Sequence, residues 1–269
     1  MDFRVKWFTS IGITTALGLA LFAQGLNAQA PTTNSRATPD APSPSNDGWH
    51  VDLVPYVWFA GVHGTTGVLG HEVSIHADAS DVLSYLNIGV MGHAEIRHNR
   101  FLIPVDFMWI KLTDNKALPF DVGVTSVKAE FRQTIFTPGI GYRWVDHKKF
   151  TVDGYMGVRY WHLYGSLKLQ PPVLNINSSA SGDWVDGIAG GKLNVLVSPK
   201  VVLTIGGDGG GGTARSDYQA YGVLGFRVSQ KWLLQAGYRY ASVNYRPSNT
   251  FVYDVSQSGL IIGATWSVK

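Results

Sequence analysis

The sequence predicts an all-β chain: a closed, antiparallel up-and-down transmembrane β-barrel of about ten strands, with short periplasmic turns and long extracellular loops. Three observations predict it. The first is the stretch WVDGIAGGKLNVLVSPKVVLTIGGD, from Trp184 to Asp208. Val185, Ala189, Leu193, Val195 and Val197 share one parity, while Asp186, Gly190, Lys192 and Asn194 take the other. Beyond Ser198-Pro199-Lys200, Val201, Leu203 and Ile205 alternate with Val202, Thr204 and Gly206, and Asp208 follows. Successive strand side chains point to opposite faces, so each arm has one apolar and one polar face. Arms of about 10 to 14 residues suffice to cross a bilayer as tilted strands. The second observation is composition. Among 269 residues there are 31 glycines and 12% aromatics but only 15% charged residues, a balance that suits a barrel better than a helical fold. The third is that short and long breaks between the arms alternate along the chain.

The N-terminus reads as a secretory signal over residues 1–30. Arg4 and Lys6 give the positive start, Ile11 to Phe22 the apolar core, and Ala28-Gln29-Ala30 the small-x-small cleavage pattern. That core is shorter than the roughly 20 residues a spanning helix needs. Residues 31–47, rich in Pro, Ser, Thr and Asn, read as a disordered leader, and residues 48–269 as the barrel. With no cysteine there is neither a disulfide framework nor a thiolate metal site. A net charge of only +3 is weak evidence for a nucleic-acid partner, and none is expected.

Alternation opens at Trp49 in WHVDLVPYVWFAG, where Pro55 suits an irregular or edge position. From His63 to His76 the pattern reads as a loop with a small hairpin at Leu69-Gly70. Ser80 to Leu86 reads as one or two helical turns capped by Ser80 or Asp78. Strands then follow at 88–98, 101–112, 122–143 and 150–168, with Pro138-Gly139 expected to bend the third or shift its phase. The opening hairpin supplies the next two, and strands at 217–228, 232–245 and 257–268 complete the set. Breaks at 98–100, 146–149, 198–200 and 229–231 are short. Those at 63–86, 113–121, 169–182, 209–216 and 246–255 are long. Ten strands put both termini on the periplasmic side; the first strand and the 63–77 hairpin are the softest, so the count admits eight or twelve. A soluble β-sandwich would alternate too, but it needs no apolar arms of bilayer length with Tyr and Trp near their ends.

Several segments resemble the uncharacterised outer-membrane β-barrel family of Gram-negative bacteria. They are Pro55-Tyr56-Val57-Trp58, Gly157-Val158-Arg159-Tyr160-Trp161, Trp184-Val185-Asp186, Gly207-Asp208-Gly209-Gly210 and Gly237-Tyr238-Arg239-Tyr240. The resemblance spans residues 49–269 and implies an outer-membrane location, outer-membrane lipid as surroundings and the barrel-assembly machinery as a partner during biogenesis. It implies no activity. The chain departs from a final aromatic residue, since Trp266 lies three residues before Lys269.

The charged residues of lumen parity are six cations (Arg97, Arg132, Arg159, Lys192, Arg227, Arg239) and six anions (Glu95, Asp106, Glu130, Asp153, Asp186, Asp208), with His93 as a further polar group. Buried charges must pair, so these are expected to form an ion-pair network filling the lumen. The alternative is a narrow channel for a small solute, with the same charges as selectivity residues. A second alternative is a barrel hydrolase acting on lipid or peptide at the outer rim, for which His93, Glu95 and Asp106 offer acid/base groups. No GxSxG motif supports a nucleophile. His63, His71, Glu72, His76 and Asp78 bring metal-ligand types into the first long loop, but at no rigid spacing such as HExxH. The glycine run 206–212 lacks the Lys-Ser/Thr of a phosphate loop. Trp49, Trp58, Trp109, Tyr160, Trp232, Tyr240 and Trp266 are expected mainly as anchors at headgroup level. The resulting expectation is a non-enzymatic barrel without cofactor or metal, with a structural role or a surface ligand bound by its loops.

Overall fold

The computed structural model describes residues 48–68, 71–117, 126–170, 177–248 and 251–268. The expected signal segment and leader lie outside the described residues. Eleven strands and one short helix follow in chain order: β1 (Trp49–Val68), β2 (His71–Ala77), α1 (Ala79–Tyr85), β3 (Leu86–His98), β4 (Phe101–Ala117), β5 (Ser126–His147), β6 (Phe150–Gln170), β7 (Asn177–Ser198), β8 (Val201–Gly212), β9 (Ser216–Arg227), β10 (Trp232–Ser248) and β11 (Phe251–Val268). Each of β3 to β11 pairs antiparallel with its neighbours, and β11 returns to β1 from Val51↔Val268 to Val68↔Phe251. The wall is therefore a closed barrel of ten strands, with β2 as an eleventh strand outside the cycle.

The turns at the terminal end are tight. The first, Asn99-Arg100, places Asn99 at φ 55, a left-handed conformation that asparagine tolerates better than most residues. At the opposite end the strands run further than the sequence suggests. β5, β6 and β7 have 22, 21 and 22 residues, about twice what a tilted strand needs to cross a bilayer. Most of each expected long loop is strand: β4 reaches Ala117, β8 reaches Gly212, and only residues 213–215 turn the chain into β9. The remaining parts of the expected loops at 118–121 and 171–176 lie outside the described residues.

These long strands pass through two surroundings, and the inside-outside rule reverses between them. In the half near the termini the outer face is apolar. Val57, Ile103, Ile140, Met156, Leu224 and Leu260 are exposed there. Trp49, Phe101, Trp144, Trp232 and Trp266 ring its lower edge, and Trp109, Tyr160, Tyr218 and Tyr240 its upper edge, as headgroup-level anchors do. Beyond the upper ring the outer face carries Lys111, Glu130, Arg132, His162, Asp183 and Arg246, and the interior becomes an apolar core of Met108, Ile135, Trp161, Leu163, Trp184, Val243, Tyr245, Tyr253 and Val255. Water on the outside restores the ordinary soluble pattern, and burying these side chains stabilises the extension.

Among the described residues the wall parts where β1 leaves β3. β1 pairs with β3 over Trp49–Pro55, the last position being a proline that has no N–H to give, and with β2 over Val62–Val68. Between them, residues 56–61 keep only their β11 partners. The Trp58 N–H instead reaches the Met91 sulfur at 3.3 Å. The helix α1 follows β2 here. Asp78 caps it as expected from the sequence, and the Asp78 N–H donates to Asp81 Oδ2 at 3.0 Å in a capping box.

Candidate functional site in the barrel lumen

Register brings polar side chains of β1 and of β3 to β10 into one interior, where they form stacked layers. Nearest the termini, Arg143 grips Asp153 through two bonds of 2.7 and 3.1 Å. Lys192 lies 3.9 Å from Asp153 and also bonds Glu95 directly, so four strands share one chain of alternating charge. Above it, Tyr56 donates to Asp106 at 3.1 Å and accepts from Arg239 at 2.9 Å. The Arg239 guanidinium also lies 4.8 Å from the centre of the Trp58 ring, a cation–π contact. His93 and Asp106 are register partners, with Nδ1 and Oδ2 3.8 Å apart.

The third layer centres on Arg159, which is 2% exposed. It donates to Asp208 at 2.7 Å, Asp217 at 2.6 Å and the Thr137 hydroxyl at 3.2 Å. Tyr155 and Gln219 donate to Asp208, and the Trp161 indole N–H donates to Asp217. Such charge-assisted bonds, closed on every side, satisfy ions that would otherwise be costly to bury. Asp186 faces the same interior but caps the β8–β9 turn instead, accepting the Ala214 N–H at 2.7 Å.

A cavity of about 270 Å³ occupies the terminal half of the lumen. His93, Glu95, Asp106, Asp153, Lys192, Asp208 and Arg239 all line it, and among the described residues no serine or cysteine does. Toward the extracellular end, Trp184 stacks between Trp161 and Tyr245, at 5.4 and 4.1 Å between ring centres. Gln133, fully buried, exchanges amide bonds with Gln257 across the same level and accepts from the Tyr253 hydroxyl. This aromatic and amide layer packs across the interior above the ion pairs.

Ten of the thirteen expected lumen residues face the interior as their parity predicts. Two do not. Glu130 and Arg132 pair with each other on the outer face, with Lys111 3.4 Å from Glu130 and the Arg132 guanidinium over the Tyr164 ring. They belong to the extracellular extension, where polar side chains face out and their neighbours Phe131 and Ile135 face in. Arg227 has lumen parity but is exposed at the terminal rim. Trp58, expected among the anchors, is instead 5% exposed inside. Sequence reasoning missed Arg143 and Asp217, although the parity of Gln219 and Tyr221 extends to Asp217 and would have found it. Of the first-loop residues, His63, His76 and Asp78 come together, while Glu72 bonds Arg246. The His71 side chain lies outside the description.

No protein-family model and no curated protein matches the sequence. Among solved structures the chain is similar to the outer membrane protease OmpT from Escherichia coli, at 8% identity over 85% of this chain and 99% of that one, with a TM-score of 0.49. It is also similar to Ail, the attachment invasion locus protein of Yersinia pestis, at 12% identity over 82% and 99% of the two chains and a TM-score of 0.38. Neisserial surface protein A gives 15% identity over 81% and 96%, with a TM-score of 0.31. The closed wall, the apolar belt and its aromatic edges are those of an outer-membrane β-barrel. The protein resides in the outer membrane.

Proposed function

We propose that the protein is a non-conducting, non-enzymatic outer-membrane barrel whose ion pairs hold the wall together and whose extracellular extension is its working surface. One observation carries this reading. The interior above the ion pairs is packed with Trp161, Trp184, Tyr245 and Tyr253, each less than 10% exposed. A packed aromatic layer leaves no water-filled path for a solute. The cavity beneath supports the alternative of a narrow channel, which would need that layer to move. A hydrolase acting at the outer rim finds less support, because His93 and Asp106 line the cavity in the terminal half of the lumen, away from that rim.

Solute flux into proteoliposomes tests the proposal. Vesicles carrying the folded protein should swell in small sugars and amino acids no faster than empty vesicles. Swelling that rises with protein content would overturn it.

A further inference from the structure

The geometry points to a divalent transition-metal site on the outer face of the extracellular extension, formed by His63, His76 and Asp78. It is separate from the lumen and does not rest on the reading above. His63 in β1 and His76 in β2 are direct cross-strand partners. Opposed residues of an antiparallel pair project to the same side with Cβ atoms about 4.5–5.5 Å apart. The two imidazoles accordingly meet edge to face, 4.3 Å between centres at 74°. Asp78 follows β2 by one residue, and its Oδ1 lies 4.0 Å from His76 Nε2. One donor atom from each of the three residues lies within 4.8 Å of the others.

Around a tetrahedral ion with bonds of about 2.0–2.2 Å, donor atoms stand roughly 3.3 Å apart. Side-chain torsions alone can close that difference, since the His76 and Asp78 side chains are 74% and 72% exposed. The backbone beneath them is already fixed. Gly64, beside His63, holds φ at +147, and a Cβ there would lie 2.1 Å from the Asp254 carbonyl oxygen. Gly61 sits so close under the chain leading into α1 that a Cβ would be 3.0 Å from the Ala77 carbonyl oxygen. Gly61 lets β1 and the chain leading into α1 approach where the three donors converge, while Gly64 lets β1 lie close against β11 on its other side.

Two imidazole nitrogens and one carboxylate oxygen suit zinc, copper(II) or nickel(II), whereas calcium and magnesium prefer all-oxygen sets. Three protein ligands leave a position for water. The fold gives such an ion a structural task. Among the described residues β2 pairs with β1 alone, and no α1 residue is buried. An ion bonded to β1, the end of β2 and the cap of α1 would cross-link the segment that follows the parting of β1 from β3.

Zinc titration of the full-length protein, purified from membranes in detergent without a histidine tag, tests the site against a chromophoric chelator. The expected result is one high-affinity equivalent, weakened at least about tenfold by His63→Ala and by His76→Ala. Asp78→Asn should also weaken it while keeping the helix cap, because asparagine caps as well as aspartate. Heat-modifiable gel migration reports folding of each variant. Should a variant not fold, zinc protection of His63 and His76 from diethyl pyrocarbonate in the wild-type protein replaces it. Unchanged affinity in the double histidine variant, or no protection of either histidine, overturns the proposal. Full affinity in Asp78→Asn overturns the three-residue site.

Discussion

Trp184 lies flat against Tyr245, with ring centres 4.1 Å apart and planes within 8°, although β8 and β9 stand between their strands. The contact exists because the β8–β9 hairpin ends early. Its turn at 213–215 tucks Ala214 inward, and the two rings meet over it. The stack thus completes the interior layer where the wall is lowest.

Replacing both rings, Trp184→Ala with Tyr245→Ala, should open a path beside the short hairpin. Each truncation should cost about 3–5 kcal/mol, as is usual for large buried aromatic residues. Unfolding in urea with lipid vesicles measures the cost. Bilayer recordings should show current from the double variant.

The Arg159 cluster makes a separate prediction. Arg159→Met leaves Asp208 and Asp217 buried without their cation, and removal of one partner from a buried ionic group typically costs about 3–5 kcal/mol. Adding Asp208→Asn and Asp217→Asn should recover part of the loss, because the uncompensated charge is then gone. Equal stability of Arg159→Met and wild type would show that the cluster does not hold the wall.

The reversal of faces between the belt, at β3, and the extension, at β5, can be read by labelling, since the sequence has no cysteine. Glu130→Cys should react with a membrane-impermeant maleimide added to intact cells, whereas Glu95→Cys in the buried lumen should not. Protection of the first position would put β5 in the opposite register.

Asp183, on the outer face above the belt, accepts from the Tyr160 hydroxyl at 2.6 Å and lies 2.7 Å from His162 Nδ1. The Tyr160 hydroxyl first, and His162 second, hold its carboxyl below the usual carboxylate range. A depressed pKa contributes stability above the unfolded value, near 3.9, and loses it as pH falls through the folded value. The site is exposed, so the contribution should stay below about 1 kcal/mol. Asp183→Asn should remove that part of the acid dependence of the unfolding midpoint.

How much of this was legible in the sequence follows from the same two surroundings. Within the belt, alternation alone assigned His93, Glu95 and Arg97 inward, because lipid rewards one face and a polar interior the other. Above the belt the identical alternation carries the opposite meaning. Glu130 and Arg132 were therefore read as lumen residues, and no local signal marks where water replaces lipid around β5. The long loops were overestimated for a related reason. The four glycines at 209–212 resemble a loop, yet there they sit in strand, where Gly210 packs against the Gly187 carbonyl with no room for a Cβ. The partners inside the layers, such as Arg159 with Asp217, depend on the register and tilt of four strands and could not be read from spacing. His63 and His76 met because a hairpin pairs them, which the Leu69-Gly70 turn did suggest.

The claim on which the functional reading stands is that the aromatic layer stops the lumen. Single-channel recording of the wild-type protein in planar bilayers, with heat-modifiable migration confirming the folded barrel, tests it most directly. The account predicts a silent bilayer at voltages where the Trp184→Ala, Tyr245→Ala variant conducts. Discrete, reproducible steps from the wild-type protein would contradict it and make Arg159, Asp208 and Asp217 part of a conduit.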